Sequence, residues 1–257
     1  MTKFKVTILT TLLIIITSAM YISCNDEDPK EIVNQSENLF FKGVKIDPEI
    51  GIKHNIIVID FLNRNKNLSS KSLIDKNKVI INYFNDKYGV DVTSNIQPYL
   101  KYKSKYAQKS ENLAEFSPID FINDHKENLS NHLYSQVIDL LTQTKEVSSN
   151  RDEVLKIIEN FKTTLYTDNN YQINEKEAFT NYLLVFESSV KLWYDYDFNN
   201  DNFSAKNNVS AKLSPDNYWK IASADMVEGF AGGLLGGPAG ALIGIASGSI
   251  TMAIGLW

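Results

Sequence analysis

The last twenty-nine residues, GFAGGLLGGPAGALIGIASGSITMAIGLW (229–257), carry no charged side chain and hold nine glycines. Within them Gly232, Gly236, Gly240, Gly244 and Gly248 recur every fourth position, and a second row one turn aside runs Gly229, Gly233, Gly237 and Ala241. Residues four apart share a helix face, so each row strips a face to bare backbone and lets another helix approach closely. Each glycine also costs a solvated helix about 1 kcal/mol relative to alanine, so this segment needs something besides water to hold it. A bilayer is one candidate, since the segment exceeds the roughly 20 residues a membrane-spanning helix requires. Pro238, after Gly236-Gly237, offers a break and hence a hairpin of two short helices. Such a hairpin packed on the protein's own helices is the other candidate.

The rest of the chain is polar and helical in pattern. Val79, Ile80, Tyr83 and Phe84 follow Leu73 at three-to-four spacing, and Gly89 supplies a stop after Tyr88. Ser117-Pro118 places an acceptor at the N-cap and proline at the first helical position of a long run that aligns Phe121, Leu129, Leu133, Val137 and Leu140-Leu141. Asn150 with Glu153, and Asn174 with Glu177, mark two further starts, and Ser214-Pro215 opens the terminal unit, whose last charges are Asp225 and Glu228. The only β-branched run is IIVID at 56–60, which has no partner strand in the pattern. These features predict an all-α protein: a bundle of four or five helices in residues 49–212, then a Gly-rich helix or helical hairpin in 213–257. Residues 90–116 fit that pattern least.

The opposite end constrains location. Lys3 and Lys5 precede an uncharged stretch from Val6 to Ile22, then Ser23 and the single cysteine of the chain, Cys24, then Asn25-Asp26-Glu27-Asp28. Basic, apolar and small in succession is the plan of a secretory signal. Ile22-Ser23-Cys24 resembles the lipobox of bacterial lipoproteins, with Tyr21 where leucine is usual. That resemblance implies lipidation of Cys24 and removal of residues 1–23, leaving a 234-residue mature chain (257 − 23). An uncleaved anchor helix is the alternative. The acids after Cys24 resemble the export signal of surface lipoproteins of the Bacteroidota, and residues 24–48 read as a lipidated cysteine with an acidic tether.

Composition narrows the function classes. Acids outnumber bases 31 to 26, and only Arg64 and Arg151 are arginines, which argues against nucleic acid as a partner. A lone cysteine excludes an intrachain disulfide and a cysteine-based zinc site. Asp195, Asp197, Asn199 and Asp201 match the first four alternate positions of a calcium loop, but Asn200 stands where glycine turns the loop and Lys206 where glutamate closes it, so a solvated loop is expected. His54, His125 and His132 lack zinc-helix spacing and read as exposed or rim residues. No serine-elbow, Walker or HExxH motif occurs, so no cofactor and no catalytic role are expected.

The glycine register resembles a glycine zipper, found in small outer-membrane lipoproteins and in class II bacteriocins. Taken whole, lipobox, helical body and Ala/Gly tail resemble uncharacterised lipoproteins of flavobacteria and their relatives. The resemblance implies an outer-membrane location with surface display, lipid held through Cys24, and a tail that meets the membrane or a second copy. The function expected is a non-catalytic binding or scaffolding module, and the alternative is a bacteriocin-like, membrane-active effector.

Overall fold

The computed structural model describes residues 44–65, 73–88, 101, 117–195 and 214–255. The chain divides into two compact units, Met1–Leu39 and Phe40–Trp257, and every described residue lies in the second. Among the described residues seven α-helices occur: α1 (Ile50–Arg64), α2 (Leu73–Tyr88), α3 (Pro118–Asn123), α4 (Asn131–Glu146), α5 (Arg151–Thr167), α6 (Ile173–Asp195) and α7 (Pro215–Gly255), with a 3-10 turn at Lys126–Asn128. No strand occurs among the described residues. The all-α expectation holds, with more helical elements than the four or five anticipated.

The extra elements come from a break in an expected helix. The long run after Ser117 is broken rather than continuous. The Ser117 hydroxyl accepts from the Asp120 N–H at 3.2 Å and starts α3, but the chain turns at His125–Leu129. Ser130 then caps α4, accepting from the Leu133 N–H at 3.1 Å. Across the bundle the buried Glu175 carboxylate takes both the Ser130 N–H (3.0 Å) and its hydroxyl (2.9 Å), so the break is fixed by a residue 45 positions away. Asn150 caps α5 as expected, but α6 begins one residue before Asn174, with the Gln172 carbonyl taking the first helical bond from Lys176. The IIVID run lies inside α1. Helical spacing buries Ile57, Val58, Phe61 and Leu62 with His54, so packing overrides β-propensity there.

α7 is the axis of the unit, packing against α1, α2, α3, α4 and α6. It is two helices joined at Gly237, whose φ of 58° and ψ of −152° suit glycine alone. Pro238 supplies the reason for the break: it disfavours helical geometry in the residue before it and lacks the N–H a continuing helix needs, yet fits the first turn of a new helix. The two arms, residues 215–236 and 238–255, fold back on each other. Trp219, Ile221, Val227 and Phe230 on the first arm and Ile243, Ile245 and Ile250 on the second are buried, as expected of a helix apolar all round. The amphipathic helices α4, α5 and α6 supply the surrounding layer, with Leu133, Val137, Ile158, Phe179, Phe186 and Trp193 turned inward.

Candidate functional site

The glycine row is the contact surface between the arms. A Cβ on Gly232 would lie 2.1 Å from the Gly240 carbonyl oxygen, and one on Gly240 would lie 2.3 Å from that of Gly232. Farther along, a Cβ on Gly244 would meet the Glu228 oxygen at 2.2 Å, and one on Gly248 the Ala224 oxygen at 2.5 Å. The zipper's contacts in this structure are therefore within the chain, arm on arm. Gly236 stands in the turn before the break. Gly229, in the second row, admits the Tyr182 ring and Ile245, and Tyr182 in turn lies 4.3 Å from Phe230, centroid to centroid.

Polar groups sit where the arms meet the body. Asp225, the carboxylate on the first arm, is fully buried. One oxygen accepts the Ser249 N–H of the second arm at 2.6 Å, and the other accepts the Ser189 hydroxyl of α6 at 2.6 Å and faces His54 Nε2 of α1 at 2.9 Å. At that distance opposite charge ties α1 to the first arm. The far side of the ring is also fixed. The Asn55 amide nitrogen donates to the Ser188 carbonyl at 3.0 Å, which turns the Asn55 oxygen toward His54 Nδ1 at 2.7 Å. An acceptor thus faces each ring nitrogen, an arrangement that suits only the doubly protonated imidazolium. Burial pushes the His54 pKa down, but the Asp225 charge and the bonds to Asp225 and Asn55 outweigh it, leaving the pKa above its ordinary 6.5. A second stitch lies one turn away, where the Ser247 hydroxyl donates to Glu228 at 3.2 Å.

This cluster contains serine, histidine and aspartate, yet its connectivity is not that of a nucleophile and its base. The Ser189 proton is directed at Asp225, not at the imidazole, and Ser189, His54 and Asp225 are all closed to solvent. Its geometry is suited to joining three helices: α1, α6 and both arms of α7 converge on one carboxylate.

Of the other two histidines, His125 departs from the expected exposure and His132 keeps a rim position. His125 is buried against Phe121, with ring centroids 5.5 Å apart, and burial pulls its pKa below 6.5 against the opposing charges of Asp124 and Glu127. His132 is partly exposed, meets Asp168 at 2.8 Å and stacks edge-on against Tyr171 at 4.5 Å. The break between α3 and α4 keeps these two residues off a common helix.

Cys24 and the calcium-loop positions Asp197, Asn199 and Asp201 lie outside the described residues. Asp195 ends α6 and pairs with Arg151 at 3.0 Å, and no group of three metal-ligating side chains gathers among the described residues. Sequence reasoning missed Asp225, Glu228 and His54 as structural joints. A signal was present, since Ser247 and Ser249 are polar residues inside the otherwise apolar second arm and Asp225 and Glu228 share a face of the first. No protein-family model matches the chain, and neither a curated protein nor a solved structure shows similarity to it.

Proposed function

We propose that this protein is an envelope lipoprotein, lipidated at Cys24 and held at the outer membrane, whose helical body is a non-catalytic binding or scaffolding module. The observation that carries the reading is the N-terminal succession of lysines, uncharged run, Ile22-Ser23-Cys24 and acidic residues. The body is consistent with it: the cluster of Ser189, His54 and Asp225 is occupied in joining helices and is sealed from solvent. The tail's contribution is to form the axis of the module. Association with a membrane or a second copy through Gly232 to Gly248 would require the row to leave its present contacts.

A bacteriocin-like role, in which the apolar hairpin leaves its sheath of amphipathic helices, is the second reading. Burial of the hairpin at the centre of the unit favours it, while Asp225 and Glu228 in the first arm oppose transfer to lipid. No helix among the described residues is long and apolar enough to cross a membrane.

The test is expression in a bacterium fed labelled palmitate. The wild type should take up label and fractionate with membranes, and Cys24→Ala should do neither; equal labelling of the two sinks the lipoprotein reading. Dye release from liposomes by the full chain, lost on Gly240→Ile, would favour the effector.

A further inference from the structure

One helix face is apolar and faces outward. Ile52, Ile56 and Ile59 on α1 are 62%, 56% and 41% exposed, and Ile46, just before the helix, is 46% exposed. Spacings of four and three put the helical members on one stripe, opposite the buried His54, Ile57, Val58 and Phe61. Single exposed isoleucines need no explanation, but three on one stripe of α1, with Ile46 just before it, form a patch of the kind that meets a partner.

The patch lies close in sequence to the proposed anchor. Val44 is twenty positions after Cys24 (44 − 24), so chain connectivity alone keeps Val44, just before α1, within about 70 Å of a lipidated Cys24, at up to ~3.5 Å per residue. A lipid surface is thus always within reach. The charges around the stripe offset one another: Lys53 pairs with Asp47 at 2.7 Å and Glu49 at 3.7 Å, and Arg64 and Lys87 both pair with Asp60. These three cations and three carboxylates cancel, while the whole chain carries −5. With no net charge from these pairs, attachment to a lipid surface would rest on the apolar side chains, which an interfacial helix buries at the headgroup boundary.

We infer that the Ile46, Ile52, Ile56 and Ile59 face of α1 rests on the lipid surface to which Cys24 anchors the protein, a second and weaker attachment that orients the module. The inference rests on the lipoprotein reading. One acyl-bearing residue fixes where the protein is, and the isoleucine face fixes which way the body points.

With Cys24 lipidated, Ile56→Cys gives the full chain a single free thiol for a nitroxide. The labelled protein is reconstituted on vesicles of phosphatidylethanolamine and phosphatidylglycerol, beside a control labelled through Tyr166→Cys, on α5. Collision with oxygen relative to a water-soluble nickel chelate should be several-fold higher at 56 than at 166. Adding Ile52→Asn and Ile59→Asn should return position 56 to the control value while the protein stays on the vesicles. Two reactive thiols by mass would show that Cys24 carries no lipid, and both readings would fall. Lipidated protein with position 56 as accessible to nickel as 166 overturns the orientation alone, as does dipolar broadening at 56, which would mark a second copy as the occupant.

Discussion

Replacing Gly244 by alanine sets two effects of opposite sign against each other. The new Cβ would stand 2.2 Å from the Glu228 oxygen, 2.7 Å from the Glu228 carbonyl carbon and 3.0 Å from Gly229 Cα. Ordinary contact begins near 3.4 Å, so the arms must separate by about 1.2 Å (3.4 − 2.2). All three neighbours are backbone, which no rotamer change can move aside. Overpacking of this kind costs ~3 kcal/mol, the upper part of its usual range. A gap of that size along the seam forfeits a further ~1 kcal/mol of dispersion. Against these, alanine's helix preference returns about 1 kcal/mol. The net loss is ~3 kcal/mol, a large share of a typical 5–15 kcal/mol stability. Gly237→Ala separates the causes: no atom lies within 4 Å of its Cβ, so its loss of ~1–3 kcal/mol would come from backbone conformation alone. Urea unfolding followed by far-ultraviolet circular dichroism gives both values. If Gly244→Ala is as stable as wild type or more so, helix preference governs and the arms do not meet at this row.

Asp225→Ala strands the His54 cation, the Ser189 hydroxyl and the Ser249 N–H, and should cost about 3–5 kcal/mol, as breaking a buried ion pair does; recovery of part of that loss by adding His54→Leu would show the stranded charge to be the cause, and a loss under ~1 kcal/mol would contradict the pairing. Because the folded-state pKa of His54 is raised, its contribution is fully present below the unfolded value of 6.5 and is lost as pH rises through the folded pKa. The urea midpoint should therefore fall on the alkaline side, and His54→Gln should flatten that limb; an unchanged slope would count against a charged His54. Asn150→Ala should cost ~1 kcal/mol by removing a cap, whereas Asn174→Ala, inside the first turn of α6, should cost only a few tenths, and equal losses would contradict the assigned start of α6.

Much of the helical architecture follows from local rules. Ser117-Pro118, Asn150 and Ser214-Pro215 start helices because a short polar side chain beside the chain's own N–H groups is sufficient in any surroundings. Three-to-four spacing marks the buried faces of α2, α4 and α5 for a similar reason, since a helix's inward stripe is a property of its own sequence. Gly237-Pro238 likewise writes its break into two adjacent residues, and the glycine row specifies a close helix contact. The row does not say which helix makes it. A bilayer partner, a second chain and the preceding arm all satisfy a bare helix face equally, and the choice fell to the arm because Pro238 reverses the chain and α1, α2, α3, α4 and α6 enclose the result.

The polar joints depended on three-dimensional placement. His54 and Asp225 are 171 positions apart (225 − 54), and no local pattern pairs one with the other. Taken alone, histidine and aspartate are residues that water solvates well, which is why exposure was the natural expectation for His54. Burial becomes tolerable only once opposite charge, the Ser189 hydroxyl, the Ser249 N–H and the Asn55 oxygen converge on the pair, and that convergence exists only after three helices have packed. Glu175 acts the same way, reaching 45 positions back to cap α4 and dividing what the sequence pattern presents as one helix. Sequence alone therefore determined most helix starts and inward faces, the break at Gly237-Pro238 and the need for a close partner, because those are short-range properties of the backbone and its adjacent side chains. Tertiary structure decided the partner of the glycine row and the burial of His54 and Asp225, because the desolvation cost of a charge depends on every group brought around it.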